Sequence, residues 1–313
     1  MGLATSKDGL SIYYDTFGDG LPLLIINGFG PPCEWMAEMY GKHFSDRFQY
    51  AVSDLRGVGR SDRPNDLDAI DLSDFAADHL AVMDALSWSS AHIYGGSMGA
   101  SIAAKLTLLA PERVRSLTLG SFDCGYPNIF SKPFAHILKT RVKYGRSILA
   151  QRSDPEGAAR VILETYYGDP DCADRPEVGA FVVKMLKEHP METDFPPLQA
   201  LKDLPDDITP LLEDLPDSTE PTPTEQKGKP DFVTGDLWQD IHKIEAKTLL
   251  LHGYDDHIVP YQSSVYAATQ IPRAELRLIK PMHHSISGSP QILRNIGDWM
   301  VHEENDRMHQ SSA

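Results

Sequence analysis

The sequence predicts an α/β fold in which a mostly parallel central sheet is flanked by helices and interrupted by a helical insertion. Three observations carry this prediction. Strand-like and helix-like segments alternate between residues 10 and 120, as in doubly wound parallel sheets. The alternation stops from about Asp123 to about Ile244, where helices and loops are indicated but no convincing strand. It resumes at Ala246–Leu251, so the two flanking parts are expected to share one sheet.

The first part of the chain contains most of the predicted elements. Leu21–Asn27 is a continuous apolar run of the kind that is buried on both faces of a central sheet. Leu72–Leu86 carries apolar side chains at helical spacing. The other elements predicted here are the strands Leu10–Asp15, Phe48–Asp54, Ala91–Gly95 and Val114–Gly120 and the helix Met98–Ala110.

The insertion divides the chain into a predicted core domain, residues 1–122 and 246–313, and a predicted helical cap, residues 123–245. In the cap, Ser153 and Glu156 match a capping box, and Pro176–Glu188 is amphipathic. Residues 203–228, rich in Pro, Asp, Glu and Thr, predict a long loop to which we assign no function. Beyond the cap we expect a strand at Ala246–Leu251, a helix at Tyr261–Gln270, a strand at Glu275–Ile279, a last helix capped by Ser289, and a frayed tail from Glu303.

Composition excludes several classes of partner. With 313 residues and a net charge of −16, the chain has no electrostatic reason to bind nucleic acid or anionic lipid. No apolar run approaches the length of a membrane span, and the first residues lack the apolar segment of a secretory signal. Gly2 matches the short N-myristoylation pattern, which occurs often by chance. Cys33, Cys124 and Cys172 are scattered, which fits a reducing compartment, so we expect a cytoplasmic protein.

The candidate nucleophile is Ser97. It lies in Gly95-Gly96-Ser97-Met98-Gly99, a G-x-S-x-G motif between a predicted strand and a predicted helix. A sharp turn between the two elements strains the serine backbone and requires small neighbours. The turn presents the serine hydroxyl at a helix N-terminus, which favours developing negative charge. An ordinary glycine-rich turn is the alternative, and the candidate oxyanion hole, acid and base argue against it.

The candidate oxyanion hole combines two loops. A tetrahedral intermediate needs two donors aimed at its oxygen. We expect these to be the backbone N–H of Met98, directly after the nucleophile, and the N–H of Phe29 in Asn27-Gly28-Phe29-Gly30, which ends an apolar strand.

The candidate acid and base follow the last two predicted strands. Asp255 and Asp256 both follow the strand at residues 246–251, and the spacing from Gly253 to Val259-Pro260 favours Asp256. His283 and His284 follow the strand at residues 275–279, where a histidine can bridge the acid and Ser97. We favour His284 as base, with His283 as the alternative.

A metal site is the competing interpretation of this region. Six potential ligands cluster in the sequence, but their spacing matches no known metal motif, and the proposed triad uses the key members. We therefore expect neither a metal nor a cofactor, and interpret His252 and His257 as structural. The potential ligands are His252, Asp255, Asp256, His257, His283 and His284.

Together these motifs resemble the α/β-hydrolase superfamily, specifically its esterase, lactonase and haloperoxidase branch with a helical cap. The resemblance also rests on Asp54–Asp62, which is similar to the family's D-x-R-G-x-G-x-S-D signature, and it covers most of residues 8–120 and 246–302. It places the base at His284, because Met282 aligns with the family's Gly-Met-Gly-His form. Asn27 departs from the family's usual histidine. The length of the cap is similar to that of aclacinomycin-type methylesterases.

The resemblance implies a serine hydrolase that cleaves an ester or lactone of a small to medium, moderately hydrophobic molecule through an acyl-enzyme, without a cofactor. Two other functions stay open on the same residues. One is a cofactor-free lyase or carbon–carbon bond hydrolase, and the other is a non-catalytic ligand-binding relative. The expected partner is the small-molecule substrate, and a homodimer is left open.

Overall fold

The computed structural model describes residues 1–67, 69–221, 237–284 and 289–311. Its centre is an eight-stranded sheet with the strand order β1-β2-β4-β3-β5-β6-β7-β8. The strands β1 and β2 pair antiparallel, and β2 joins the edge of β4 antiparallel. All pairings from β4 through β3 to β8 are parallel. The strands are β1 Gly2–Thr5, β2 Ser11–Phe17, β3 Leu21–Ile26, β4 Phe48–Ser53, β5 Ala91–Gly96, β6 Val114–Gly120, β7 Thr248–Gly253 and β8 Ala274–Ile279.

Helices cover both faces of this sheet. The helices outside the insertion are α1 Cys33–Phe44, α2 Leu72–Ala85, α3 Met98–Leu109, α10 Tyr261–Gln270 and α11 Pro290–Ser311. Strand β3 shows why its sequence is apolar throughout. Leu24 and Ile26 pack into the cluster that contains α2 and α3, whereas Leu23 and Ile25 pack into the cluster with α1 and α11. The predicted fold class is therefore confirmed.

Between β6 and β7 the chain forms what we call the inserted segment, residues 123–245. The α-helices among its described residues are α4 Ala135–Ala150, α5 Pro155–Tyr167, α6 Pro176–Glu188, α7 Pro196–Gln199, α8 Thr209–Glu213 and α9 Leu237–Asp240. Among its described residues there is no strand, as the sequence predicts. The segment has its own apolar cluster, which includes Ile148, Ile162 and Met185 and reaches Trp35 at the start of α1.

Several local predictions were wrong. Strand β1 was not predicted, because a four-residue edge strand has too short a pattern. The cap of α5 is Asp154, whose side chain accepts from the Gly157 N–H, and not Ser153, whose hydroxyl donates to the Ala150 carbonyl. Residues 203–228 are not all loop, since α8 lies within them; residues 222–228 lie outside the described part of the chain.

The predicted frayed tail from Glu303 was also wrong, because α11 continues to Ser311. Ion pairs made by two buried glutamates explain the continuation. Glu304 contacts Arg115 at 3.2 Å and Arg307 at 2.7 Å, and Glu303 lies 3.6 Å from Lys247. In the part of the chain that the structure describes, no helix is long and apolar enough to cross a membrane.

Candidate active site

Ser97 occupies a strained turn between β5 and α3. Its backbone has φ 56° and ψ −126°, a sparsely populated conformation with positive φ that costs a non-glycine residue about 1–3 kcal/mol. Glycines make this turn possible. A Cβ on Gly95 would lie 2.1 Å from the Gly99 carbonyl oxygen, and a Cβ on Gly99 would lie 2.2 Å from that of Ile26. The helix can therefore start directly against the sheet, which leaves the Ser97 side chain above the strand ends.

The structure brings Ser97, His284 and Asp256 together in one line of hydrogen bonds. His284 Nε2 lies 3.0 Å from Ser97 Oγ, and His284 Nδ1 lies 2.8 Å from Asp256 Oδ2. A carboxylate only accepts, so Nδ1–H donates to Asp256, and Nε2 is then the acceptor for the Ser97 hydroxyl. His284 and Asp256 are both buried. The arrangement allows the imidazole to take the serine proton while the carboxylate faces the positive charge that develops.

Asp256 is fixed by a tight loop after β7. Its Oδ1 accepts from the N–H groups of Ile258 at 2.8 Å and Val259 at 2.9 Å. Burial by itself raises the pKa of the Asp256 carboxyl. The neighbouring His284 and His252 rings outweigh that effect and hold the pKa well below its usual range. The carboxylate is therefore charged at neutral pH, as the orienting group of a triad must be.

His252 contacts the acid from its other side. Its Nδ1 lies 2.7 Å from Ser264 Oγ, and its Nε2 lies 3.1 Å from the Val259 carbonyl and 3.3 Å from Asp256 Oδ2. The two acceptors at Nε2 place the proton there and leave Nδ1 to accept from the serine hydroxyl. The sequence predicts a structural histidine here. Its position four residues before Asp256, at the end of a strand, is the one signal that could have indicated the contact.

The alternative acid and base lie elsewhere. The half-buried carboxylate of Asp255 makes no hydrogen bond or ion pair with the described residues, and its backbone N–H donates to the Met282 carbonyl at 2.9 Å. The His283 ring packs beside Gly168, with 5.9 Å between its centroid and that of His257. Neither side chain joins the line of hydrogen bonds to Ser97. In each adjacent pair, the geometry therefore favours the second residue, Asp256 as acid and His284 as base.

Phe29 and Met98, whose backbone N–H groups are the candidate oxyanion donors, both line a cavity above Ser97. Met98 is the first residue of α3, where the backbone N–H has no partner within the helix. Phe29 follows Gly28, and a Cβ on Gly28 would lie only 3.3 Å from the Gly96 carbonyl oxygen. The close approach of these two backbones puts the Phe29 loop beside the nucleophile turn.

The loop that carries Phe29 is held from below by the Asp54–Asp62 signature. Asp54 Oδ1 accepts from the Cys33 N–H at 2.6 Å, and its Oδ2 accepts from the Arg60 N–H at 2.9 Å. Asn27, buried at the end of β3, donates through Nδ2 to the Ser53 carbonyl at 3.1 Å. The signature therefore acts as a support for the loop and contributes no side chain to the cavity.

One group of described residues has the spacing of a metal site, formed by Cys33, Glu34 and Asp54. The guanidinium of Arg60 already contacts all three side chains. Arg60 Nη2 lies 2.7 Å from Glu34 Oε1 and 3.1 Å from Cys33 Sγ, and Arg60 Nε lies 3.1 Å from Asp54 Oδ2. Burial raises the pKa of the Cys33 thiol, so that it stays protonated. We interpret this group as an ion-pair network within the fold.

A cavity of about 570 Å³ lies over Ser97 and His284. The inserted segment supplies most of its wall, and most of those side chains are aliphatic. Phe130 and Leu211 line the cavity and are 60% and 49% exposed, so they lie where it meets solvent. The aliphatic lining residues are Leu138, Val142, Leu198, Leu201, Leu204, Ile208, Leu211, Leu212, Leu215, Ile258 and Val259. A cavity of this size and character accepts a mainly apolar molecule.

Sequence reasoning missed Tyr166, which lines this cavity from helix α5. Its ring stands edge-on to that of His284, with 5.1 Å between centroids and 90° between planes. Its hydroxyl lies 3.3 Å from the hydroxyl of Tyr144. No sequence signal indicates this contact, because Tyr166 is one of several aromatic residues at helical spacing in the inserted segment.

Comparison with known proteins agrees with the fold. A family model described as "alpha/beta hydrolase fold" matches residues 22–152. The 2-hydroxymuconate semialdehyde hydrolase of Pseudomonas putida is 25% identical over 296 residues, which cover 93% of this chain and 90% of that protein. The rhodomycin D methylesterase DauP of Streptomyces sp. (strain C5) is 34% identical over 128 residues, which cover 39% of this chain and 43% of that protein.

Among solved structures, the meta-cleavage product hydrolase CumD from Pseudomonas fluorescens matches with a TM-score of 0.65 at 19% identity. The match covers 97% of this chain and 98% of that one. At this identity the likeness shows the fold alone. Together these comparisons confirm the resemblance to the α/β-hydrolase superfamily and the predicted fold class.

Proposed function

We propose that the protein is a serine hydrolase that cleaves a carboxylic ester or lactone of a small to medium, moderately hydrophobic molecule. The observation that carries the proposal is the hydrogen-bonded line from Ser97 through His284 to Asp256 beneath a mainly aliphatic cavity. The local match to a methylesterase supports the ester as the bond cleaved.

The first step in this proposal is acylation of Ser97. His284 Nε2 takes the hydroxyl proton as Ser97 Oγ attacks the carbonyl carbon, and the carbonyl oxygen becomes an oxyanion. The backbone N–H groups of Met98 and Phe29 donate to that oxyanion. Asp256 accepts from Nδ1–H throughout and stabilises the imidazolium, which then gives its proton to the departing alcohol oxygen.

The second step is deacylation. Water gives a proton to His284 Nε2 and attacks the acyl-enzyme, and the second tetrahedral intermediate releases the acid and returns the proton to Ser97 Oγ. Protein groups and water supply every proton and electron pair in this scheme. We infer that residues 123–245 act as a cap that shapes the apolar pocket and limits access of water, on the core formed by residues 1–122 and 246–313.

Carbon–carbon bond hydrolysis by the same three residues is the second candidate function. One observation favours it: the match to 2-hydroxymuconate semialdehyde hydrolase extends over 93% of the chain, whereas the methylesterase match covers 39%. In this alternative the same cavity would hold a ring-cleavage product, a substrate that carries a carboxylate.

A substrate panel distinguishes the two functions. We would compare p-nitrophenyl acetate, butyrate and octanoate, an aliphatic δ-lactone and a dienoate ring-cleavage product, with wild type and Ser97→Ala. We expect ester or lactone hydrolysis that falls at least about 10³-fold in the variant. A higher kcat/KM for the dienoate would favour the alternative. No turnover of any substrate by folded wild-type protein would contradict both.

A further inference from the structure

The aliphatic cavity contains a single cationic side chain among its described lining residues, that of Arg141 on α4. Asp123, at the start of the inserted segment, is the one described carboxylate in the same wall. Placing a charged pair in a mainly apolar wall costs desolvation free energy. Apolar side chains at the same two positions would avoid this cost. The pair therefore needs an explanation that the triad chemistry does not give.

Arg141 is held rigidly on two sides. Its Nε donates to the Ile258 carbonyl at 2.7 Å, and its Nη2 donates to Asp123 Oδ2 at 3.0 Å. Asp123 is in turn fixed, because its Oδ1 accepts from the Gly125 N–H at 3.1 Å. Ile258 belongs to the loop that holds Asp256, so the guanidinium has a defined position relative to the triad. A planar guanidinium anchored by two edges keeps its remaining donors in a fixed direction.

The third guanidinium nitrogen of Arg141, Nη1, has unused N–H donors. A guanidinium carries five N–H groups, and Nη1 makes no hydrogen bond with the residues that the structure describes. The Arg141 side chain is 25% exposed, whereas that of Asp123 is 5% exposed. The carboxylate is thus committed to the protein, whereas Arg141 is a partly accessible residue of the cavity wall that has unused donors.

The other polar side chains in the wall are more fully used. Ser101 donates to the Asp123 carbonyl at 2.9 Å. The hydroxyls of Tyr144 and Tyr166 lie 3.3 Å apart and form one hydrogen bond with each other. One of the two hydroxyl hydrogens makes this bond, so only one remains for a ligand. Because a bond from a charged donor is stronger than one from a neutral hydroxyl, Arg141 is the stronger anchor for an acceptor on a ligand.

We propose that Arg141 Nη1 binds an uncharged oxygen acceptor on the substrate, remote from the bond that Ser97 attacks. The preferred substrates are then aliphatic esters or lactones whose chain carries a carbonyl oxygen, as in an oxoacyl group. Asp123 balances the charge of Arg141, so a neutral oxygen is favoured over a second carboxylate. The ester part of this substrate class rests on the proposed function, but the acceptor site does not.

The test compares matched pairs of p-nitrophenyl esters. Each alkanoate of six to ten carbons is paired with oxoalkanoates of the same length, with the oxo group moved along the chain. For at least one oxo position we expect the wild-type ratio of kcat/KM, oxo over alkyl, to exceed that of Arg141→Met by about tenfold. The same substitution on the exposed face of α4, Lys139→Met, is expected to keep the wild-type ratio.

The remaining measurements separate the possible failures. Arg141→Lys is the second variant, in case Arg141→Met does not fold, and it is expected to lower the ratio. Calorimetry measures binding of the ethyl esters of the same alkanoates and oxoalkanoates to Ser97→Ala, and so reports the oxo preference without turnover. The acceptor site is therefore tested even if the hydrolase proposal fails. The proposal is overturned by equal ratios in all proteins, by a loss of preference in Tyr144→Phe and not at Arg141, or by tighter binding of chains that end in a carboxylate.

Discussion

The Tyr166 ring of the inserted segment stands perpendicular to the His284 ring, with 5.1 Å between their centroids. An edge-to-face contact of this kind fixes the plane of the imidazole, which must point one nitrogen at Ser97 and the other at Asp256. Burial of Tyr166, together with the hydroxyl of Tyr144, raises the Tyr166 pKa, so its hydroxyl stays protonated. The inserted segment therefore touches the proposed base directly.

Replacement of Tyr166 is expected to test this contact. Tyr166→Leu removes the ring, and a small misplacement of His284 should lower kcat about tenfold with little change in KM for a short acetate ester. Tyr166→Phe keeps the ring and is expected to retain most of the wild-type kcat. Steady-state kinetics of both variants check this, and an equal loss in the phenylalanine variant would contradict a positioning role for the ring.

The two adjacent aspartates form a matched pair. Asp256→Asn cannot accept from His284 Nδ1–H with a full negative charge, and we expect kcat to fall by roughly 10⁴-fold. Asp255→Asn is expected to stay within about twofold of wild type, because its carboxylate makes no hydrogen bond or ion pair with the described residues. Kinetics with p-nitrophenyl butyrate check both values. A larger loss at Asp255 would remove Asp256 from the proposed triad.

The adjacent histidines permit a second matched comparison. His284→Gln removes the group between Ser97 and Asp256, and kcat should fall at least about 10³-fold. His283→Gln alters a ring that packs beside Gly168, so we expect the free energy of unfolding to decrease while kcat changes only a fewfold. Urea unfolding and kinetics measured on the same samples separate the two effects. A His283 variant without activity but with normal stability would contradict the assignment.

A buried histidine predicts how stability changes with pH. Burial, with a contribution from Arg56, lowers the His79 pKa to about 4 in the folded protein, below the value of about 6.5 expected when it is unfolded. Between these values the unfolded state binds more protons, so acid favours unfolding. The free-energy difference between wild type and His79→Gln should then shrink by up to about 1.4 kcal/mol for each pH unit between pH 6 and about pH 4. Urea unfolding at pH 7, 6 and 5 checks this, and a pH-independent difference would contradict it.

The parts of the account that the sequence predicts are those that depend on local patterns. The buried strand at Leu21–Ile26 and the glycines around Ser97 are each constrained by their immediate neighbours, so their patterns are visible in a short window. The order of the motifs then predicts which strand ends carry the acid and the base. Both the fold class and the superfamily could be predicted on this basis.

Contacts between distant segments could not be predicted in the same way. Tyr166 meets His284, and Arg141 meets Ile258, only after the inserted segment folds back over the sheet. The continuation of α11 depends on the pairing of Glu304 with Arg115, residues separated by most of the chain. Interactions of this kind produce no periodic pattern in the sequence. Those made by Tyr166 and Arg141 nevertheless shape the lining of the cavity.

The central claim is that Ser97 is an activated nucleophile, and fluorophosphonate labelling tests it most directly. The probe reacts with an activated serine hydroxyl and is independent of substrate identity. We predict stoichiometric labelling of wild type, located at Ser97 by peptide mass analysis, and no labelling of a folded Ser97→Ala variant. Folded wild-type protein that remains unlabelled, or equal labelling of the variant, would contradict the account.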